Sequence, residues 1–151
     1  MLESVKQALL SLGDELREAE GVGICGSLAR GYDFGETSDI DVFVVVSEKK
    51  PDGETDRLWW RRINQALVDF DRDVTVLVYS LKGLRKISHW YVLRLASEGV
   101  LVFDAGKVRA LFDQIKRAAR QAGLIEEWFE GQRIWKFPDL RLGENREVRL
   151  E

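Results

Sequence analysis

Residues 26 to 41 read GSLARGYDFGETSDID and gather the side chains of this chain best suited to chemistry. Asp39 and Asp41 flank Ile40 and lead into an apolar stretch, Val42 to Val46. On an extended strand alternate residues share a face, about 6.6 Å apart along the chain. The two carboxylates then point one way and Ile40 the other. A strand that is apolar on both faces belongs in the middle of a sheet. Like charges at the mouth of such a strand repel, and loss of water makes each ionised form costlier. A divalent cation that prefers hard oxygen ligands, such as Mg²⁺, relieves both problems. The alternative is a pair of solvated acids on a strand that has not yet entered the core. Upstream, Gly26-Ser27 closes a short apolar strand, Gly21 to Cys25. Glycine lets a ligand approach the backbone closely, and the N–H groups where a helix starts suit a phosphate. Ser27 adds a hydroxyl. Gly-Ser after a strand is by itself an ordinary turn; ahead of an Asp-x-Asp pair it becomes a specific signal.

The elements that must position these residues follow from periodicity. Leu2, Val5, Leu9, Leu12 and Leu16 are spaced three and four apart, which predicts an amphipathic N-terminal helix of about 18 residues. Strands are expected at Gly21–Cys25, Ile40–Val46 and about Asp73–Tyr79. A helix over Asp56–Phe70 separates the last two, with Leu58, Ile63, Leu67 and Phe70 as its inner face. Leu81–Glu98 reads as one helix or two short ones, ended by Gly99. Val100–Phe103 is a short candidate strand. Lys107–Gln121 is helical, with Leu111, Ile115 and Ala119 on one stripe and Gly123 beyond its end. Past Leu124 no clean period remains. Alternating helices and strands imply a single α/β layered domain. The division expected is a domain over residues 1–105 and a C-terminal helical extension over 106–151 packed on it.

Composition narrows the classes. The chain has 151 residues, 45% of them hydrophobic and 32% charged, with 13 Gly and 2 Pro, so disordered and collagen-like classes are excluded. One Cys and one His leave no disulfide framework and no Cys- or His-based zinc cluster, and they argue against a Ser-His-Asp triad. A net charge of −3 gives no overall basic field for non-specific nucleic-acid binding. The N-terminus lacks the pattern of a secretory signal and no apolar run approaches a membrane span, so a soluble, cytoplasmic protein is expected.

GSLARG followed by SDIDVFVVV resembles the signature of the minimal nucleotidyltransferases of the polymerase beta-type superfamily. That signature is an apolar strand, Gly-Ser, a short spacer, then Asp-apolar-Asp in a second strand. The order of helices and strands extends the likeness to about residue 100, so that residues 1–105 correspond to the nucleotidyltransferase domain. With it the resemblance implies an α/β (α+β) fold, a mixed sheet with helices packed on it. The resemblance implies that Gly26 and Ser27 hold the triphosphate of an NTP, with ATP the expected donor. It implies that Asp39 and Asp41 coordinate two Mg²⁺ ions. The reaction would be in-line displacement at the α-phosphorus with release of pyrophosphate, the nucleoside monophosphate passing to a hydroxyl of an unidentified acceptor. Arg30, in the same loop, is a candidate for neutralising phosphate charge or a plain surface arginine. Small members of the family act beside a HEPN-type protein, in some cases as an antitoxin, which makes such a protein the candidate partner.

The family's third carboxylate, on the next strand, has no clear counterpart. The likeness of the Val-Leu-Val-Tyr-Ser run places it at Thr75. Asp73 shares that face one pleat earlier and is the alternative third ligand. If Thr75 occupies the position, a catalytically weak nucleotide-binding or regulatory module becomes the rival reading.

Other residues have simpler readings. Cys25 is expected to be a buried, inert thiol, and His89 a packed or surface histidine. Trp59 and Trp60 cannot both face one core, being about 100° apart on a helix. Arg57, Arg61 and Arg62 are expected on a solvated face, as are Glu126, Glu127 and Glu130. The aromatic segment Trp128 to Phe137 either wraps back onto the domain or docks a partner.

Overall fold

The computed structural model describes residues 1–86, 90–138, 148 and 150. The element order is α1 (Leu2–Leu10), a 3-10 segment (Gly13–Glu18), β1 (Gly21–Cys25), α2 (Gly26–Arg30), β2 (Ile40–Val46), α3 (Glu54–Ala66) and β3 (Val74–Ser80). It continues with α4 (Leu81–Leu84), α5 (Trp90–Glu98), β4 (Val100–Asp104), α6 (Val108–Gln121), β5 (Ile125–Phe129) and β6 (Gln132–Lys136). Four strands form one mixed sheet in the order β3-β2-β1-β4, in which β2 and β3 run parallel and the other pairs antiparallel.

β2 is the reference element. Val42, Val44 and Val46 pack on one face with Val5, Leu9, Leu16, Trp59 and Ile63 from α1, the 3-10 segment and α3. Phe43 and Val45 pack on the other with Val92, Leu95, Phe112 and Ile115 from α5 and α6. Alternation along the strand therefore sends Asp41 to the Phe43 side. β1 must lie close beside it, and a Cβ on Gly23 would collide with the Phe43 ring. Glycine at 23 is thus required both by the Phe43 ring and by the Val100 carbonyl of β4, which a Cβ would also meet.

The strands and the extent of α6 match the periodicity within a residue or so. The N-terminal helix is shorter than expected: α1 stops at Leu10 and the chain continues as the 3-10 segment, with Gly13 at φ +60°. In α3, Trp59 takes the inner position assigned to Leu58, being 2% exposed, while Trp60 is 55% exposed. Arg62 is not a solvated cation. Its guanidinium lies 5.0 Å from the Trp59 ring centroid and its Nε 2.8 Å from Glu15, binding α3 to the 3-10 segment.

The expected helical extension is only partly helical. After α6, β5 and β6 form an antiparallel hairpin joined by Glu130-Gly131, both at positive φ, the turn that suits strand twist. No period of two announces these strands in the sequence, since Trp128 and Phe129 are adjacent and Trp135 stands among mostly polar and charged residues. The hairpin wraps back onto the domain. Trp135 is buried and its Nε1 donates to Ser97 Oγ at 2.9 Å. Glu126 and Glu127 are paired rather than merely solvated: Glu127 meets Lys136 at 2.6 Å, and Glu126 lies near Arg120 and Arg133. Glu130, at the turn, is exposed as expected. Among the described residues no helix is long and apolar enough to cross a membrane. His89 lies outside the described residues.

The two adjacent tryptophans give a direct check. Trp59→Ala is expected to cost about 3–5 kcal/mol in urea unfolding, and Trp60→Ala to stay within about 0.5 kcal/mol of wild type.

Candidate functional site

β1 ends at Cys25 and the chain turns at once into the five-residue helix α2. The turn needs Gly26, whose φ is +69° and whose missing Cβ leaves room for the Asp41 carboxylate. The β1–β2 register pairs Cys25 with Asp41, and the β2–β3 register pairs Asp41 with Thr75. Cys25, Asp41 and Thr75 thus stand in a row across the sheet, on the face opposite Val42. Gly26 and Ser27 rise beside them at the end of β1. These residues line a cleft of about 510 Å³, closed on its far side by Tyr91, Arg94, Leu95 and Glu98 of α5, with Leu77 and Tyr79 from β3 as its floor.

Asp39 is brought to the same edge but stays exposed, just before β2 begins. It accepts a hydrogen bond from the Thr75 hydroxyl at 3.3 Å. Arg72 holds the loop that delivers it. Its Nη1 donates to the carbonyls of Gly35 at 2.7 Å and Ser38 at 2.9 Å, and its guanidinium stacks 4.5 Å from the Phe34 ring centroid. Arg30 turns into the cleft toward Glu98 and lies over Tyr32.

Burial raises the Asp41 carboxyl above the usual range, and the neighbouring Asp39 charge raises it further. The Thr75 hydroxyl and Arg30 oppose this only in part. Burial, with Asp41 adding to it, pushes the Cys25 thiol up to about 12. Cys25 is therefore an unreactive wall of the cleft, as its apolar strand implied.

Asp73 is not brought to the pair. It precedes β3, is exposed, and lines a different cleft with Glu36, Asn64 and Arg72. Its backbone carbonyl accepts the Ile40 N–H, and the next strand residue on its face, Thr75, is the one beside Asp41. Among the described residues, no three His, Cys, Asp or Glu side chains gather closely enough to hold one ion. This register gives the place opposite Asp41 to Thr75 and leaves Asp73 one pleat before it, at the entry to β3. An ungapped parallel pairing from Ile40–Val74 to Val46–Ser80 leaves no two-residue shift to bring it in.

The sequence profile of the nucleotidyltransferase domain family matches residues 2–95, more than half of the chain. The chain belongs to that family. No curated protein matches it in sequence. Among solved structures it resembles a mutant of the toxin–antitoxin complex MntA–HpeT, with 14% identity, a TM-score of 0.53, and coverage of 77% of this chain and 86% of that one. A Shewanella oneidensis MNT antitoxin complex with a tri-AMPylated HEPN toxin gives 14% identity, a TM-score of 0.51, and coverage of 80% and 87%. A toxin–antitoxin structure with AMP-PNP gives 17% identity, a TM-score of 0.53, and coverage of 77% and 86%. These likenesses establish the nucleotidyltransferase fold.

The family match ends at residue 95, so Glu98 falls beyond it, and the α5 wall went unread in the sequence. The signal was present: positions 91, 94, 95 and 98 form one helical stripe.

Two outcomes test the site without reference to turnover. Gly26→Ala is expected to destabilise by about 1–3 kcal/mol, because a Cβ there meets both a positive φ and the Asp41 carboxylate. Asp41→Asn is expected to raise Tm of the metal-free protein at neutral pH. A carboxyl raised in the folded state costs no stability below its unfolded value and costs progressively more as pH rises through its folded value. The advantage of the Asn variant should therefore shrink on acidification into the usual carboxylate range, which thermal melts across pH will show.

Proposed function

We propose that this nucleotidyltransferase-family chain transfers a nucleoside monophosphate from an NTP, ATP being the first candidate, to a hydroxyl of an acceptor in a divalent-metal-dependent reaction. The observation that supports this best is Asp41, partly buried beside a second carboxylate and against Gly26. Such a pair is unfavourable in the protein alone. It suits a hard cation, since the donors are carboxylate oxygens and no described Lys or Arg forms an ion pair with either.

Asp39 and Asp41 would hold Mg²⁺, with two ions expected when the triphosphate is present. The metal, when bound, supplies charge withdrawal at the α-phosphate and acidification of the acceptor hydroxyl. Gly26 keeps a close backbone approach open to the triphosphate, and Ser27 offers its hydroxyl. Arg30, at the end of α2, offers positive charge to the same cleft. The acceptor oxygen then forms a bond to the α-phosphorus as the bond to the bridging oxygen breaks, and pyrophosphate leaves. A hydroxyl on a HEPN-type partner protein is the candidate acceptor, since the toxin in one structurally similar complex is AMPylated.

Thr75 supports a second reading, a nucleotide-binding or regulatory module with slow or no transfer. A neutral hydroxyl stands where β3 faces Asp41, and it cannot take up a proton from the acceptor at neutral pH.

Incubation with labelled ATP, Mg²⁺ or Mn²⁺ and a HEPN-type partner separates the readings. Label transfer is expected, falling by at least about 100-fold in Asp39→Ala and Asp41→Ala and unchanged in Asp73→Asn. Thr75→Asp is expected to raise the rate. Nucleotide binding with no pyrophosphate release, even in Thr75→Asp, would favour the module.

A further inference from the structure

The cleft contains an anion of its own. Glu98, at the end of α5, is only 13% exposed in its side chain, yet it faces the same space as Gly26, Ser27 and Asp41. One of its oxygens, Oε2, stands 3.5 Å from Arg30 Nη1 and 3.9 Å from Arg94 Nε. A well-made guanidinium–carboxylate contact is about 2.7–2.9 Å long. Both pairs are looser than that, and Arg30 Nε is buried with no hydrogen-bond partner among the described residues. Two guanidinium groups thus share a single carboxylate oxygen, and at least one buried donor is left without an acceptor. Buried donors normally find partners. An anion with several oxygens would satisfy this set better than Glu98 does.

Arg94 has the freedom to do so. Its side chain is 41% exposed, on the stripe of α5 that faces Gly26 and Ser27 across the cleft. Arg30, by contrast, is packed to 17% exposure and placed over Tyr32.

We propose that Arg94 is a further phosphate-binding residue of the nucleotide site, and that Glu98 is its resident counter-anion. Glu98 keeps Arg30 and Arg94 oriented while the cleft is free of nucleotide, and an incoming triphosphate displaces it from them. This rests on the nucleotidyltransferase reading and adds a consequence to it. Arg30 and Arg94 are balanced by Asp41 and Glu98, so the cleft offers a bare polyanion no net positive charge. Retention of nucleotide then depends on an accompanying divalent cation, and Glu98 sets that dependence. Removing its charge frees two guanidinium groups and leaves the carboxylate pair of Asp39 and Asp41 untouched.

The test is a titration with a fluorescent ATP analogue, in EDTA and in excess Mg²⁺, on wild type, Glu98→Gln, Arg94→Ala and Arg94→Lys. Thermal melts of each variant confirm folding. Glu98→Gln is expected to tighten metal-free binding roughly three- to tenfold and to narrow the gap between the two conditions. Arg94→Ala is expected to weaken binding in both conditions by roughly tenfold or more, with Arg94→Lys in between. Unchanged or weaker metal-free binding in Glu98→Gln would overturn the counter-anion role. Wild-type affinity in Arg94→Ala would overturn the phosphate contact. If wild type binds no nucleotide even with Mg²⁺, the nucleotidyltransferase reading itself fails, an outcome distinct from either.

Discussion

A carboxylate at the mouth of a strand that is dry on both sides is the constraint around which the rest of this structure is arranged. β2 buries valines on one face and Phe43 and Val45 on the other, so its first pleat leaves Asp41 partly buried at the sheet edge. Asp39 lies on the same edge and raises the cost of ionising Asp41 further. The fold holds this unfavourable arrangement through backbone features that cannot relax: the register of three strands, the left-handed turn at Gly26, and the Arg72 clamp on the preceding loop. Strain of this kind, localised at one edge of an otherwise well-packed sheet, marks a place shaped by something other than stability.

The same geometry explains why the cleft is mixed in charge. A site built only from carboxylates would repel phosphate, and one built only from arginines would bind it without regard to metal. Here Asp39 and Asp41 stand at the sheet edge, while Arg30 of α2 and Arg94 of α5 bring guanidinium groups with Glu98 of α5 between them. Thr75 adjusts the balance between them. Its hydroxyl donates to Asp39, opposes the rise of the Asp41 carboxyl, and puts no third negative charge beside the pair.

Much of the sheet wall of this site was legible in the sequence because it depends on local rules. Asp39, Asp41, Gly26 and Ser27 follow from the period of a strand and from the special backbone freedom of glycine. Asp73 could not be placed that way. Its distance from Asp41 is set by pairing between strands, and a shift of two residues preserves every apolar position on β3 while exchanging Asp73 for Thr75. The α5 wall was hidden for another reason. Tyr91, Arg94 and Glu98 form a stripe whose polar members resemble the solvated side of any amphipathic helix, and only tertiary packing turns that side toward the sheet. Leu58 and Arg62 were misjudged in a related way, since Trp59 takes the inner position and Arg62 lies over the ring that it buries.

The segment beyond β4 shows how far such tertiary effects reach. Trp135 fixes the hairpin to Ser97, one residue from Glu98, while Ser97 also donates to the Leu93 carbonyl on the preceding turn. Trp128 of the same hairpin stacks on Tyr32 at 5.9 Å, and Tyr32 lies beneath Arg30. One hairpin therefore touches the supports of both cleft guanidinium groups, from behind α5 and from the loop after α2. Its own strands are short, and much of Trp128 and Phe129 remains exposed, so the hairpin stands through these contacts and not through a core of its own. Loosening it at Trp135 would release the end of α5, and with it the carboxylate that holds Arg30 and Arg94 in place. The orientation of the charged side chains in the cleft is in this sense a property of the C-terminal hairpin as much as of the sheet that bears Asp41.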